Sequence, residues 1–393
     1  RSAWAAHVAR EVTCEVRSPR KWANDPIELL KARVRELVGD SWAERKGKGR
    51  VYIPDQQGCL ENERLSGGTF GVGLDEFSSC HNRVRVGVAK TKGKARVVTM
   101  QSARTKEVLG PIHNSLYDHI SSFGWCVRGD VTKSDFETVM GDIRDREVFI
   151  SGDYKSATDN IYLPAVEAIV DVLCESKHLT TVERETLRES FTDIKWVSLS
   201  GKEYPIRRGS MMGNLVSFPI LCLLNKACFD IACDYAYKHL PRGDRVRVGR
   251  FNGDDCVFCG DRDFFALWQE VVSCFGLVVN TEKTGLSRRF LDLNSRSYDA
   301  SRHRFVGKPV LSFFRTKRTP GDLLSEVIKG AGTLSKDAFW YALNVLRWEI
   351  SIRPIVPTPD IKDRLWRSLI KRKWFRGALE LGPLPTKKTG CDR

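Results

Sequence analysis

Apolar positions alternate with polar ones in some stretches and recur at helical spacing in others, which predicts a mixed α+β chain. Arg83-Val84-Arg85-Val86-Gly87-Val88 and Ala95-Arg96-Val97-Val98-Thr99 alternate with period two, with lysines and a glycine between them, and so predict a basic hairpin. Val148-Phe149-Ile150 is a short apolar strand that runs into an acidic turn. Helical spacing predicts helices over Pro26–Val38, 164–177 and 182–191. Residues 195–199 and 202–206 flank Ser200-Gly201, a second hairpin. A long apolar helix follows over about 214–238, then an apolar run, 246–260, that Gly253-Asp254-Asp255 splits into two strands, the first carrying Val246-Arg247-Val248. Gly67-Gly68-Thr69-Phe70-Gly71-Val72-Gly73 follows the polar Glu61-Asn62-Glu63-Arg64 instead of an apolar strand, so it reads as a plain loop and not as a dinucleotide cradle. Helices dominate after Pro320, with a proline-stiffened linker at 353–359 and a basic amphipathic helix over 360–379.

Composition narrows the class. With 393 residues, 41% of them hydrophobic, the chain can bury one large core or two modest ones. No run reaches the roughly 18 apolar residues a bilayer span needs. The most hydrophobic stretch, 215–224, is interrupted by Ser217 and Pro219. Arg1-Ser2-Ala3-Trp4 carries no secretory pattern, so the 12 cysteines are expected as reduced thiols, and Cys256-Val257-Phe258-Cys259 as core packing in preference to a metal or redox pair. The seven histidines form no HxxxH or HExxH spacing, and Ser210 has no recognisable base, which excludes zinc-protease and serine-hydrolase readings. A net charge of +15 implies attraction to phosphate polymers. Its positives gather at Arg83, Arg85, Lys90, Lys92, Lys94 and Arg96 and again over 362–376, as if lining a channel.

The chemistry sits at strand ends. Asn252-Gly253-Asp254-Asp255 puts two adjacent carboxylates on a tight turn, where burial is costly unless a multivalent cation lies beside them. The strand at 148–150 ends in Gly152-Asp153, with Asp159 six residues on. If the two strands are neighbours in one sheet, Asp153 lies beside Asp254 and Asp255, an all-oxygen set suited to Mg²⁺ or Mn²⁺ and to in-line phosphoryl displacement. Between the acids, the run from Arg207 and Arg208 through Gly209-Ser210-Met211-Met212-Gly213-Asn214-Leu215-Val216-Ser217 leads into the long helix and can bring backbone N–H groups close to a phosphate or sugar, or serve as a helix cap through Ser210 or Asn214. Strand acid, Gly/Ser loop with helix, then a Gly-Asp-Asp hairpin is the order of a template-directed polymerase palm.

In wording the chain resembles viral RNA-dependent RNA polymerases, closest to the ourmia-like mycovirus, narnavirus and levivirus-related group, over about residues 55–315. Asp153 to Asp159 matches that family's first palm motif, Gly209 to Ser217 the second and Gly253-Asp254-Asp255 the third, while Val279-Asn280-Thr281-Glu282-Lys283 resembles the fourth and Phe290-Leu291-Asp292-Leu293-Asn294-Ser295-Arg296 the fifth. Lys94-Ala95-Arg96 fits the basic fingers motif, and the segment from Pro54 to Glu61 resembles N-terminal wording of the ourmia-like branch. The resemblance implies a right-hand polymerase: fingers over 1–145 with a return at about 165–205, a palm over 146–315 whose antiparallel sheet carries the acids, and a helical thumb over 316–393. It implies that Asp153 and Asp254 hold two Mg²⁺ ions, replaceable by Mn²⁺, with Asp255 a less direct ligand, and that Lys283 is a general acid. Lys94 and Arg96 would face the triphosphate. Asp159, with Asn214 or Ser217, would sense the ribose 2′-OH, Asn225 being better placed for packing, and Ser210 and Gly213 would line the nucleotide. The implied partners are a single-stranded RNA template, the nascent RNA strand and ribonucleoside triphosphates, with replication of a positive-strand genome in the host cytoplasm or mitochondria. Two other readings stand beside this one. Reverse transcriptases share the palm, but usually carry a Tyr/Met pair where this chain has Asn252-Gly253. An inactive RNA-binding palm has no reason to keep three carboxylates at its motif ends.

Overall fold

The computed structural model describes residues 2–10, 25–44, 52–73, 80–91 and 94–307, with isolated positions at 371 and 373. The chain divides into two units, Arg1–Phe305 and Val306–Arg393. The expected thumb helices, the 353–359 linker and the basic 360–379 helix lie outside the described residues.

Local signals place the first elements. Helix α1 is Ser2–Val8 and α2 is Pro26–Val38, where Pro26 opens the helix and the Asp25 carboxylate accepts from the Ile27 amide at 3.1 Å. The basic hairpin follows as β1 (Arg83–Thr91) and β2 (Lys94–Met100), antiparallel with Gly87 opposite Val98. Helices α3 (Ala103–Ser121) and α4 (Lys133–Met140) were not announced by apolar spacing. Pro111 lies inside α3, where a proline normally breaks a helix. Burial of Leu109, Ile112, Leu116 and Ile120 outweighs that cost.

Then come β3 (Val148–Gly152), α5 (Ala157–Asn160), α6 (Leu163–Cys174) and α7 (Thr181–Glu189), the last closed by a capping box between Thr180 and Glu183. The expected second hairpin is β4 (Lys195–Val197) with β5 (Glu203–Pro205), and the long apolar helix is α8 (Ser217–Ala236). The acidic turn joins β6 (Gly249–Asn252) to β7 (Asp255–Gly260). The strand expected at 246–248 therefore begins later, at Gly249. Arg247 is pulled inward instead, its side chain fully buried and bound to Glu147 through two contacts of 2.8 Å, to Asp142 at 2.8 Å and to the Tyr237 hydroxyl at 2.7 Å. Helix α9 (Arg262–Cys274), capped by Asp261 on the Phe264 amide at 2.8 Å, precedes β8 (Gly285–Ser287), β9 (Phe290–Leu293), β10 (Arg296–Asp299) and β11 (Arg304–Val306).

Strands β2, β1, β4 and β5 form one sheet, β4 parallel to β1 with Arg83 opposite Lys195. Strands β6, β7, β3 and β8 form the central sheet, antiparallel throughout. The pleat sorts its side chains onto two covered faces. Ile150, Cys256 and Phe258 pack among the residues of α8 and α9, whereas Phe149, Val257 and Cys259 meet Phe136 and Val139 of α4 and Leu291, Leu293 and Tyr298 of the β9–β10 pair. Cys256 and Cys259 thus point to opposite faces as free thiols in the core, as the sequence predicts.

Candidate active site

Because β3 and β7 are paired with Gly152 opposite Cys256, Asp153 leaves one strand where Asp255 opens the other. Asn252 pairs with Asp255, leaving Gly253 and Asp254 as a two-residue hairpin loop. Gly253 has φ +62°, and a Cβ there would lie 2.7 Å from the Phe218 ring, so any other residue would be strained and would have to displace that ring. Three residues on one face of α8, at spacing i, i+4 and i+7, hold this turn: Phe218 covers it, the Gly253 amide donates to Cys222 Sγ at 3.2 Å, and Asn225 Nδ2 donates to the Gly253 carbonyl at 3.0 Å.

Asp153 is held from the segment before β8. Its Oδ2 accepts from Asn280 Nδ2 at 3.0 Å and pairs with Lys283 Nζ at 3.1 Å, while the Asn280 amide donates to the Asp153 carbonyl at 2.8 Å. The β9–β10 turn, with Asn294 and Ser295 both at positive φ, aims the Asn294 amide at the Asp255 carboxylate. Burial and then the charge of Asp153 push the Asp254 carboxyl up, opposed by its own backbone amide, Arg96 and Lys283. Asp254 is nevertheless exposed, since it sits at the turn tip. Burial, then Asp254 and Asp153, push Asp255 up to about 6. Neighbouring charges raise Asp254 and Asp255 in this way, and such carboxylates form a donor set that a divalent cation would relieve. Among the described residues no three His, Cys, Asp or Glu side chains already converge as a metal cage, and one Asp153 oxygen is turned toward Lys283.

The loop between the acids is fixed by its neighbours. Gly209, at φ +91°, and Ser210 donate from their amides to Ile161 and Thr158 carbonyls, both at 2.8 Å. Gly213 donates to Thr99 Oγ1 on β2 at 3.1 Å, and a Cβ at Gly213 would fall 1.6 Å from the Thr99 carbonyl oxygen. The basic hairpin and the loop are therefore in van der Waals contact. The Asn214 side chain donates to Ser190 O at 3.3 Å and Oγ at 3.2 Å and accepts from the Val216 amide at 3.0 Å. Ser217 Oγ donates to the Ser210 carbonyl and, at 2.8 Å, to that of Met211. Both side chains are committed to protein partners, Ser217 inside the loop and Asn214 also to the end of α7, and Ser210 is fully buried with an unpaired hydroxyl. Neither Ser210 nor Asn214 caps the helix directly, since the N-cap position is Val216.

Asp159, on α5, accepts from the Trp4 indole N–H at 3.1 Å, and burial raises its carboxyl. Arg96 is exposed, with its charge felt at Asp254, so the basic hairpin does reach the acids. The Lys94 backbone lies in β2, and its side chain is outside the described residues. The sequence reading weighed Asn225 only as a ribose sensor better suited to packing, and did not single out Asn280 and Asn294 as site residues. Asn280 stood inside the fourth motif, whereas Asn225 carried no signal beyond being a polar residue in an apolar helix.

This arrangement, acids at the ends of neighbouring antiparallel strands within the electrostatic reach of a basic hairpin, has the fold of a viral RNA-dependent RNA polymerase. The crystal structure of the RNA-dependent RNA polymerase of a human picorbirnavirus superposes with a TM-score of 0.64 at 13% identity, covering 96% of this chain and 81% of that one. Sequence similarity points to the expected group. The chain is 29% identical over 171 residues to the RNA-dependent RNA polymerase of Ourmia melon virus (isolate Melon/Iran/VE9), covering 40% of this chain and 19% of that protein. It is 32% identical over 163 residues to the RNA-directed RNA polymerase of Saccharomyces 20S RNA narnavirus, covering 41% of this chain and 20% of the relative. The match thus spans about a fifth of the length of these curated relatives. No family model matches the chain.

Proposed function

We propose that the chain is an RNA-dependent RNA polymerase that copies a viral positive-strand RNA genome in the host cytoplasm, adding ribonucleotides to the 3′-OH of a strand paired to a single-stranded RNA template. In this reading residues 1–145 with a return at about 165–205 are fingers, 146–315 the palm and 316–393 the thumb. One observation carries it: Asp153, Asp254 and Asp255 meet at adjoining strand ends, with Arg96 and Lys283 close enough to act on their charge.

Asp153 and Asp254 would hold two Mg²⁺ or Mn²⁺ ions, with Asp255 a nearby ligand braced by Asn294. Bound there, such ions would favour ionisation of the 3′-OH and neutralise charge on the triphosphate. In the reaction the O3′–Pα bond forms and the bond from Pα to the β-phosphate bridge breaks. The hydroxyl proton passes to water and pyrophosphate leaves. Lys283, an exposed ammonium beside Asp153, supplies the proton that the leaving oxygen takes up. Arg96 and Lys94 offset the triphosphate charge. Asp159, oriented by Trp4, faces the ribose together with the 210–217 loop, whose Gly213 sets the gap to β2.

The test is incorporation of labelled ribonucleotide on single-stranded RNA with Mg²⁺ or Mn²⁺, with deoxyribonucleotide in parallel, for the chain and its Asp254→Ala variant. Synthesis of RNA alone, lost in the variant while salt-sensitive RNA binding persists, is the expected result. Deoxyribonucleotide synthesis would replace this reading with a reverse transcriptase, and RNA binding without synthesis would replace it with an inactive palm.

A further inference from the structure

We infer that Asn225 is a positioning residue that ties the turn bearing Asp153 to the turn bearing Asp254 and Asp255, and so sets how well the three carboxylates hold a divalent cation. The inference rests on the polymerase reading above. The β3–β7 ladder ends at Gly152 opposite Cys256, and the β6–β7 ladder ends at Asn252 opposite Asp255. Beyond those pairs Asp153 and Asp254 sit on backbone that no sheet hydrogen bond joins across the two turns. A side chain joins it instead. Tyr154, the residue after Asp153, donates its hydroxyl to Asn225 Oδ1 at 2.8 Å, and Asn225 Nδ2 donates to the carbonyl of Gly253, the residue before Asp254, at 3.0 Å.

The bridge is sealed from water: Tyr154 is 3% exposed and Asn225 0%. Its tyrosine end is clamped by packing, with the Tyr154 and Trp268 rings 5.8 Å apart. Its glycine end is clamped by Phe218 and Cys222 from the same helix. An amide suits the bridge because it donates from one atom and accepts at another without charge, which satisfies the Tyr154 hydroxyl and the Gly253 carbonyl together. Leucine at 225 would fill the space and leave both partners unpaired. Aspartate could accept from Tyr154 but would bring a fourth negative charge toward the carboxylates. Both bridging side chains are buried beneath the two turns, so their effect should appear in metal binding and turnover and not in nucleotide or RNA affinity.

The experiment compares the full chain with Asn225→Leu, Tyr154→Phe and the double variant. Mn²⁺ affinity is read directly by titration of its paramagnetic resonance signal, alongside kcat, nucleotide KM, RNA affinity and thermal unfolding. Asn225→Leu should weaken Mn²⁺ binding and lower kcat, each by about tenfold or more, as loss of an outer-shell partner does, with nucleotide KM and RNA affinity within about twofold of the parent. Tyr154→Phe removes one oxygen and should shift both in the same direction by a smaller factor. The double variant should be no worse than Asn225→Leu, because both act through one path. Unchanged Mn²⁺ affinity in Tyr154→Phe and Asn225→Leu overturns the inference, as does a double variant whose losses multiply. If Asn225→Leu unfolds, Tyr154→Phe alone decides. A parent chain that neither binds Mn²⁺ nor makes RNA brings down the polymerase reading itself, a result distinct from a working parent whose variants are unaffected.

Discussion

At the scale of single residues, what could be read from the sequence was whatever an isolated local pattern forces. Gly253-Asp254-Asp255 alone would suit an ordinary hairpin turn, and it stood out with Asp153 because two apolar strands both run into acids. Asn225, Asn280 and Asn294 did not, because a polar residue is assigned only when its partner is known, and Gly253 lies 28 residues from Asn225, Asp153 127 from Asn280 and Asp255 39 from Asn294. Arg247 shows the same limit from the other side. Between two valines it looks like a solvent-facing strand residue, yet it is the buried counter-ion of Glu147 and Asp142. Burial works against the Glu147 charge, but hydrogen bonds from Arg247 and Arg144 win and hold the carboxyl below its ordinary value. A depressed acid stabilises the fold above its unfolded pKa, about 4.3, and that contribution is lost as pH falls through the folded value. Arg247→Met should cost about 3–5 kcal/mol at neutral pH, since it leaves buried acids without a partner. It should also reverse the sign for Glu147, with burial then dominant, so that the deficit shrinks between about pH 7 and pH 5. Urea unfolding at both values checks this, and a deficit equal at the two would refute it.

At the scale of elements, hairpins and capped helices were legible and long-range composites were not. Helix α2 has its cap and proline side by side in sequence, and the β1–β2 pair has its alternation and its turn. Helix α3 hid behind Gly110-Pro111, and β8 is a three-residue strand whose partner, β3, lies far back in the chain, while the short β9–β10 hairpin is docked by a distant contact, the Asp292 amide on β9 to Ser151 Oγ on β3 at 2.8 Å. The 210–217 loop was visible as glycine-rich, but not that it rests on β2. Two glycines there make the point testable. At Gly213 a methyl group would meet the Thr99 carbonyl at 1.6 Å, backbone against backbone, so Gly213→Ala must push the loop off the hairpin. At Gly253 the added methyl would meet a side-chain ring 2.7 Å away, at positive φ, in a turn that Phe218 can partly vacate. Gly253→Ala should therefore cost about 1–2 kcal/mol with the fold retained. Gly213→Ala should cost more, and should lower activity of the folded fraction as well. Denaturant melts beside synthesis rates distinguish them, and a milder Gly213→Ala would refute the loop–hairpin contact.

At the scale of the whole molecule, a charge of +15 invites the view that every basic residue of the 83–96 stripe serves a polyanion. The fold sorts them. Arg83 is met by Glu203 from β5 at 2.7 Å, and Arg85 donates to the Asn62 carbonyl at 2.9 Å with Glu63 at 3.7 Å. The run has no acid within it, yet folding delivers acids to it from 20 residues before and more than 100 after, so part of the stripe is neutralised in place. Arg96 differs: it is exposed, and its charge acts on Asp254. The two arginines, in one hairpin with one net charge between them, should then behave unlike each other. Arg96→Ala should raise the nucleotide KM by about tenfold, the equivalent of one charge-assisted contact of roughly 1.4 kcal/mol, and leave RNA affinity near that of the parent. Arg83→Ala should change neither constant by more than about twofold, because removing it frees Glu203 and cancels a pair of little net worth at an exposed site. Steady-state kinetics with nucleotide and RNA varied separately decide the matter. Equal effects from the two substitutions would mean that the field of the whole basic surface draws in the triphosphate, and that the placement of Arg96 within reach of the acids adds nothing to it.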